Sequence, residues 1–235
     1  MENIIELFRQ ALMDNIDEHV RSHGARHFRE EVKFYGVGAG TVTKLSKEYF
    51  RMAEGLPKGE VFAICEELWK SGYNEEQWAA ANWAYWVADR YEPDDFGVFD
   101  WWLNTYIKNW AACDTLCNHA VGTFVEMFPE YVEEMKVWAR SENRWVKRGA
   151  AVTLIIPARK GLFFPDIIEI ADILLTDTDD LVRKGYGWML KAAGEVYPQE
   201  VFDYLQSKKE VMPRTAFRYA LEKLPPELRA RAMQK

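Results

Sequence analysis

Phe164-Pro165-Asp166-Ile167-Ile168 is one of four similar aromatic–proline turns in this sequence, and together these turns indicate the fold. The others are Tyr91-Glu92-Pro93, Phe128-Pro129 and Tyr197-Pro198. Each follows a segment with apolar residues at the three-to-four spacing of an amphipathic helix. A proline is tolerated in the first turn of a helix because its missing N–H would have no partner there. Each repeat is therefore predicted to be an apolar helix, a turn, and a second helix opened by proline.

The repeat length of roughly 35–40 residues is closest to the HEAT class of helical pairs. Such pairs cannot bury their apolar faces alone, so they stack into a curved solenoid with a concave surface. The sequence predicts an all-α, HEAT-like superhelix forming one domain, 1–235. It would have N-terminal capping helices in 1–57, helical pairs in 58–209 and C-terminal capping helices in 210–235.

The glycine-rich segment 36–40 is predicted to be a loop before a helix that runs from Thr41 to about Ala53. No strand precedes these glycines, and no Lys-Ser/Thr follows at the spacing of a phosphate-binding loop. The segment is therefore a weak candidate for phosphate binding.

The net charge of −7 argues against a globally basic nucleic-acid binder, but a local basic stripe could still meet phosphates. Basic residues are frequent after position 140, whereas acidic residues crowd 2–17, 92–95 and 130–134. We therefore expect a basic concave groove that binds DNA through Arg144, Lys147, Arg148, Arg183, Lys184, Lys191, Arg214 and Arg218.

Three cysteines in 235 residues favour reduced thiols and a cytoplasmic protein. No apolar run approaches the ~20 residues that a membrane helix needs, so no membrane association is expected. The monomer is our default expectation.

Four side chains in the first helices of successive repeats are candidates for chemistry. Trp110 and Asp114 are four residues apart, which places them on one helix face. Arg148 and Trp188 come from the next two repeats. Taken singly, a tryptophan is usually core, and Asp114 could be a surface charge or a salt-bridge partner of Arg148.

The combination of these four residue types suits a flat, cationic substrate. Asp114 lies in an otherwise apolar helix, so we expect it to be partly buried and to need a partner. An ionised carboxylate between aromatic rings can stabilise developing positive charge and orient water. Aromatic faces attract the same sign of charge.

At these residues the chain resembles the AlkD-like DNA alkylation repair enzymes, which are HEAT-like-repeat DNA glycosylases. The resemblance is carried by Trp110-Ala-Ala-Cys-Asp114, Asn143-Arg-Trp-Val-Lys-Arg148-Gly-Ala-Ala and Lys184-Gly-Tyr-Gly-Trp188-Met-Leu-Lys191. It extends over nearly the full chain, from Phe34 to the C-terminal helices. Three motifs in order make a specific signal.

The resemblance implies hydrolysis of the N-glycosidic bond of N3- and N7-alkylated purines in double-stranded DNA, such as 3-methyladenine and 7-methylguanine. Asp114 would be the catalytic carboxylate, Trp110 and Trp188 would pack against the damaged nucleotide, and Arg148 would hold a phosphate. No base-binding pocket, metal or cofactor is implied. The histidines and cysteines show no metal-ligand spacing.

The chain departs from the family pattern in two places. The loop 36–41 lacks the Thr-Pro that often opens the next helix. His27 stands where the alignment would place an aromatic hydroxyl on the catalytic face.

Two other functions remain open at this stage. The chain could be a non-catalytic HEAT-like scaffold that binds DNA structure or a protein partner, since a fold does not fix a function. A pure protein-interaction solenoid would lack a basic concave face.

Overall fold

The computed structural model describes residues 2–24, 26 and 28–234, and in this part of the chain the regular structure is helical. No β-strand forms among the described residues, although Lys33 and Tyr73 make an isolated bridge. The α-helices are α1 (Glu2–Met13), α2 (Glu18–Gly24), α3 (Ala39–Phe50), α4 (Lys58–Ser71), α5 (Asn74–Trp86), α6 (Asp95–Thr105), α7 (Trp110–Thr115), α8 (Gly122–Met127), α9 (Val132–Ala139), α10 (Arg144–Thr153), α11 (Ile155–Arg159), α12 (Phe164–Ile173), α13 (Asp180–Ala193), α14 (Pro198–Lys208), α15 (Arg214–Leu221) and α16 (Pro226–Met233). A π-helical segment, Leu116–Val121, joins α7 to α8. The all-α prediction is confirmed.

The aromatic–proline turns lie between paired helices, as the repeat predicted. Pro165 and Pro198 stand in the first turns of α12 and α14. Pro129 opens a short 3-10 turn that leads into α9.

The prediction was wrong at Pro93, because α6 begins only at Asp95. The Asp95 carboxylate accepts a hydrogen bond from the Glu92 backbone N–H at 2.7 Å and one from Lys58 Nζ at 2.8 Å. These bonds close a separate turn before the helix. The predicted bounds of the helix after the glycine-rich segment also differ from the structure. The helix was expected from Thr41 to about Ala53, whereas α3 begins at Ala39 and ends at Phe50, so Gly40 is helical.

The described residues fall into two compact units, unit 1 (Met1–Leu116) and unit 2 (Cys117–Lys235). In unit 1, α1 packs on α3, α3 on α5 and α5 on α7, while α4 pairs with α5. The interior is rich in aromatic residues, and Trp69, Trp83 and Trp102 are fully buried there.

A buried carboxylate fixes the glycine-rich loop of unit 1. Glu75, at the start of α5, accepts hydrogen bonds from the backbone N–H groups of Tyr35, Gly36 and Val37 at 2.9–3.2 Å. Gly36 has φ +94°, and a Cβ there would lie 2.3 Å from Arg21 Cβ. Only glycine fits this position.

In unit 2, first helices pack beside first helices and second helices beside second helices. The first group is α10, α13 and α15, and contacts in the second group join α9 to α12 and α14 to α16. This two-layer stacking of helical pairs is the HEAT-like arrangement that the repeat predicted.

Candidate active site and basic surface

The helix that carries Trp110 and Asp114 begins at a side-chain cap. Asn109 has an extended backbone, and its side chain accepts a hydrogen bond from the Ala112 N–H at 2.9 Å. Asparagine is among the most favourable residues for this position. The cap sets the register of α7, so that Ala112 and Cys113 are buried while Trp110 and Asp114 are partly exposed. The prediction that Asp114 is partly buried is confirmed.

Trp110 is held by an aromatic side chain that the sequence analysis did not single out. Phe28 stacks on the Trp110 indole, with ring centroids 5.3 Å apart and an interplanar angle of 17°. Phe34 packs at a tilt against Phe28, with centroids 5.4 Å apart. Two stacked rings restrict one another's rotation, so Trp110 presents a fixed indole beside Asp114.

A largely apolar cavity of about 270 Å³ lies beside Phe28 and Phe34 in unit 1. Its wall includes Phe28, Phe34 and Trp78, together with valines of the glycine-rich loop and α3. Glu75 also lines it, but this carboxylate accepts the loop's backbone N–H groups. The cavity is a structural neighbour of the Phe28–Trp110 stack.

The π-helical segment begins two residues after Asp114 and spans Leu116–Val121. Such segments insert one extra residue into a helix and often occur at functional sites. Asn118 and His119 in this segment are partly buried. Burial lowers the pKa of His119 below its ordinary value of 6.5.

Arg148 is buried in unit 2, where α10 packs against α13. The residue is 5% exposed, and Nη1 donates to the Leu181 backbone carbonyl at 2.5 Å. A Cβ at Gly185 would lie 3.4 Å from Arg148 Cγ, so the glycine leaves room for the arginine stem. Trp188, three residues after Gly185 on the same helix, is partly exposed.

The structure therefore places the four candidate residues as two pairs. Trp110 and Asp114 share α7 in unit 1, whereas Arg148 and Trp188 belong to packed helices of unit 2. The convergence of all four on one site stays a prediction.

Most of the basic residues expected to bind DNA make bonds within the protein. Four of them pair with carboxylates: Arg144 Nε with Asp179 at 2.9 Å, Lys147 with Asp177 at 2.5 Å, Lys184 with Asp180 at 2.8 Å and Lys191 with Glu222 at 2.5 Å. Arg183 Nε donates to the Asp177 backbone carbonyl at 2.6 Å. The acidic clusters at 2–17, 92–95 and 130–134 are therefore joined by a further one at 177–180, which corrects the expected separation of acidic from basic residues.

Arg214 and Arg218 differ from this paired group. They are four residues apart on α15 and line a cleft of about 260 Å³ together with Lys209 and Phe217. Neither forms a salt bridge with another side chain in the described ranges. They are the accessible cations of the predicted set.

A family model described as DNA alkylation repair enzyme matches residues 8–224. The chain belongs to this family. A solved structure described as a predicted DNA alkylation repair enzyme from Enterococcus faecalis is similar to it, with a TM-score of 0.81 and 17% sequence identity. The similarity covers 90% of this chain and 98% of that chain. No curated protein matches the sequence.

Membership in the DNA alkylation repair family gives the chain an enzymatic role in this repair, with DNA as its partner. At 17% identity, the solved relative supports the fold alone. The resemblance stated from the sequence motifs is confirmed.

Several features of this family member bear on the remaining predictions. His27 lies outside the described residues. Among the residues that are described, no group of three or more histidine, cysteine or acidic side chains could hold a metal ion. None of the described helices is both long and apolar enough to cross a membrane. Cys65, Cys113 and Cys117 are buried as thiols and not as disulfides, and burial raises the pKa of Cys65.

Proposed function

We propose that the chain is a DNA glycosylase that excises positively charged N3- and N7-alkylated purines, such as 3-methyladenine and 7-methylguanine, from double-stranded DNA. It would act as a monomer and without a base-flipping pocket. The observation that carries the proposal is the partly buried Asp114, one helical turn from an indole that Phe28 holds in place. Both residues lie inside the segment that matches the alkylation repair family.

The proposed reaction breaks the bond between the sugar C1′ and the purine nitrogen. Alkylation leaves a positive charge on the purine, so the departing base takes the bonding electrons and leaves as a neutral molecule. Positive charge then develops on the sugar, and a water oxygen adds to C1′ while its proton passes to solvent. An ionised Asp114 would stabilise the charged sugar and orient that water.

The indoles of Trp110 and Trp188 would pack against the damaged nucleotide. Their π faces attract positive charge, and this attraction strengthens when water is excluded. The Phe28 stack supports this role, because a ring fixed before binding loses little further conformational freedom when the nucleotide arrives.

Arg148 would hold a phosphate next to the lesion. A guanidinium carries five N–H donors in a planar fork that suits phosphate oxygens. The bond from Nη1 to the Leu181 carbonyl fixes the direction of this fork. The arginine would thus be oriented before DNA binds.

The decisive test is base release from duplex DNA that contains 7-methylguanine or 3-methyladenine. We expect Asp114→Asn to abolish release while duplex binding is largely retained. Asp14→Asn removes the same charge from an exposed residue bonded to Gln10, and it should behave as wild type. Full activity in the Asp114→Asn variant would refute the assignment.

A second candidate function is a non-catalytic scaffold that binds DNA structure or a protein partner. The pairing of Arg144, Lys147 and Lys184 with aspartates favours the form with a protein partner, because paired cations offer less attraction to phosphate. The same assay separates the two functions. If the protein is a scaffold of either kind, the wild-type protein would release no base from the methylated duplex above the spontaneous rate.

A further inference from the structure

We propose that the acidic turn Asp177–Asp180 is an internal competitor of DNA phosphate, which lowers the affinity of this protein for undamaged duplex. The proposal rests on the DNA-binding role assigned to α10 under the proposed function. It adds a regulatory element to that function.

The turn places its carboxylates on the first cations of α10. Lys147 Nζ lies 2.5 Å from Asp177 Oδ2, and their side chains are 21% and 10% exposed. Arg144 contacts Asp179 through Nε at 2.9 Å and Nη2 at 3.2 Å. Two neighbouring cations of the predicted phosphate-binding surface are therefore already engaged by anions.

These carboxylates are fixed by the fold as well as by the cations. Asp177 Oδ1 accepts the Asp179 N–H at 2.8 Å, and Asp179 Oδ1 caps α13 by accepting the N–H groups of Leu181 and Val182. Arg183 and Arg148 then donate to the backbone carbonyls of Asp177 and Leu181. The anions are thus held against α10 before any ligand arrives.

A phosphate diester and a carboxylate each carry one negative charge. A phosphate that approaches Lys147 must either share this cation with the Asp177 carboxylate or displace the carboxylate. The phosphate is also repelled by the negative charge of Asp177. The counterion release that drives DNA binding is correspondingly smaller for a cation that is already neutralised. Arg214 and Arg218, which make no salt bridge among the described side chains, should contribute more to binding than Lys147 and Arg144.

The test measures binding of undamaged duplex by fluorescence anisotropy at salt concentrations from about 50 to 200 mM. Asp177→Asn removes the charge but keeps the oxygen that accepts the Asp179 N–H. We expect roughly 3- to 10-fold tighter binding and a salt dependence steeper by up to ~0.9 in log–log slope, as for one more phosphate contact. Asp203→Asn, on α14 and bonded to Gln199, changes the net charge equally and should leave binding close to wild type.

A double-mutant cycle identifies the cation that is released. Lys147→Ala should weaken binding little in the wild-type background and should cancel the gain in the Asp177→Asn background. Asp179→Asn retains a good cap residue and provides an independent variant for Arg144. A thermal melt of each variant shows whether it is folded. If either Asp177→Asn or Asp179→Asn has lost its fold, the other variant tests the proposal.

Unchanged affinity in folded Asp177→Asn and Asp179→Asn proteins would overturn the proposal, as would equal gains in Asp203→Asn. Equal losses from Lys147→Ala in both backgrounds would also overturn it, because Lys147 would then reach phosphate despite Asp177. This test measures DNA binding only and does not depend on base release. If the protein binds DNA but releases no base in the separate excision assay, the glycosylase assignment is refuted while the binding result still stands.

Discussion

Gly187 lies where α13 closely approaches α15, and replacing it tests the helix packing of unit 2. A Cβ at this position would lie 2.8 Å from Tyr219 Cβ and 2.9 Å from the Ala216 backbone oxygen. Because one obstacle is backbone, α15 must move as a whole to relieve the clash. Such overpacking costs about 3 kcal/mol, at the upper end of the usual range, whereas replacing a helical glycine by alanine returns about 1 kcal/mol.

The net prediction for Gly187→Ala is a destabilisation of about 2 kcal/mol, which lowers the melting temperature by about 4–8 °C in a protein of this size. Circular dichroism during heating measures this change. The matched control is Gly97→Ala on α6, where a Cβ would meet nothing within 4 Å. This control should melt at the wild-type temperature or slightly above it. A Gly187→Ala protein that melts with the control would refute the close packing of α13 on α15.

Two further predictions concern the site. Phe28→Ala should reduce base release about 2- to 10-fold, because an aromatic pair is worth about 0.5–1.5 kcal/mol, while Phe28→Tyr keeps the stack on Trp110 and should retain activity. Equal rates for the two variants would show that the stack is dispensable. Burial lowers the pKa of the His119 imidazole in the folded protein, so the unfolded chain binds a proton at this side chain more tightly. The free energy of unfolding should therefore fall as the pH drops through about 6.5. The melting temperature of His119→Gln should decline less than that of the wild type over this pH range. An identical decline in the two proteins would show that another group titrates.

The helical repeat was readable from the sequence because its signals are local. Apolar spacing defines a helix within a dozen residues, and a proline in the first turn marks where the next helix begins. The error at Pro93 came from the side chain of Asp95. Its carboxylate accepts the Glu92 N–H three residues earlier, which closes a turn before α6, and Lys58 reaches the same carboxylate from another helix. The spacing of apolar residues and prolines shows neither bond.

The π-helical segment between α7 and α8 also escaped prediction. Its sequence, Leu116-Cys-Asn-His-Ala-Val121, contains no residue type specific to π geometry. A tertiary contact lies beside it: a Cβ at Gly122 would lie 2.9 Å from the Thr153 carbonyl oxygen on α10. Such close helix contacts depend on packing partners distant in the chain.

The candidate site was predictable in part, for a similar reason. Asp114 and Trp110 are separated by one helical turn, so their shared face follows from spacing alone. Phe28 lies more than eighty residues away in the chain and has no motif of its own, and it was therefore missed. The acids at 177–180 were visible, but their effect on Arg144 and Lys147 depends on how α13 packs against α10.

The two proposals together assign recognition to different parts of the molecule. Phosphates are equally abundant in damaged and intact DNA, so cations that bind them raise affinity without distinguishing a lesion. Carboxylates that neutralise Lys147 and Arg144 weaken this indiscriminate attraction and leave selectivity unchanged. Selectivity must then come from the charge of the lesion itself, which an anion at Asp114 and a fixed indole at Trp110 are suited to detect. A variant with the turn neutralised should therefore bind intact and alkylated duplex more tightly by the same factor, so that its preference for an alkylated purine is unchanged.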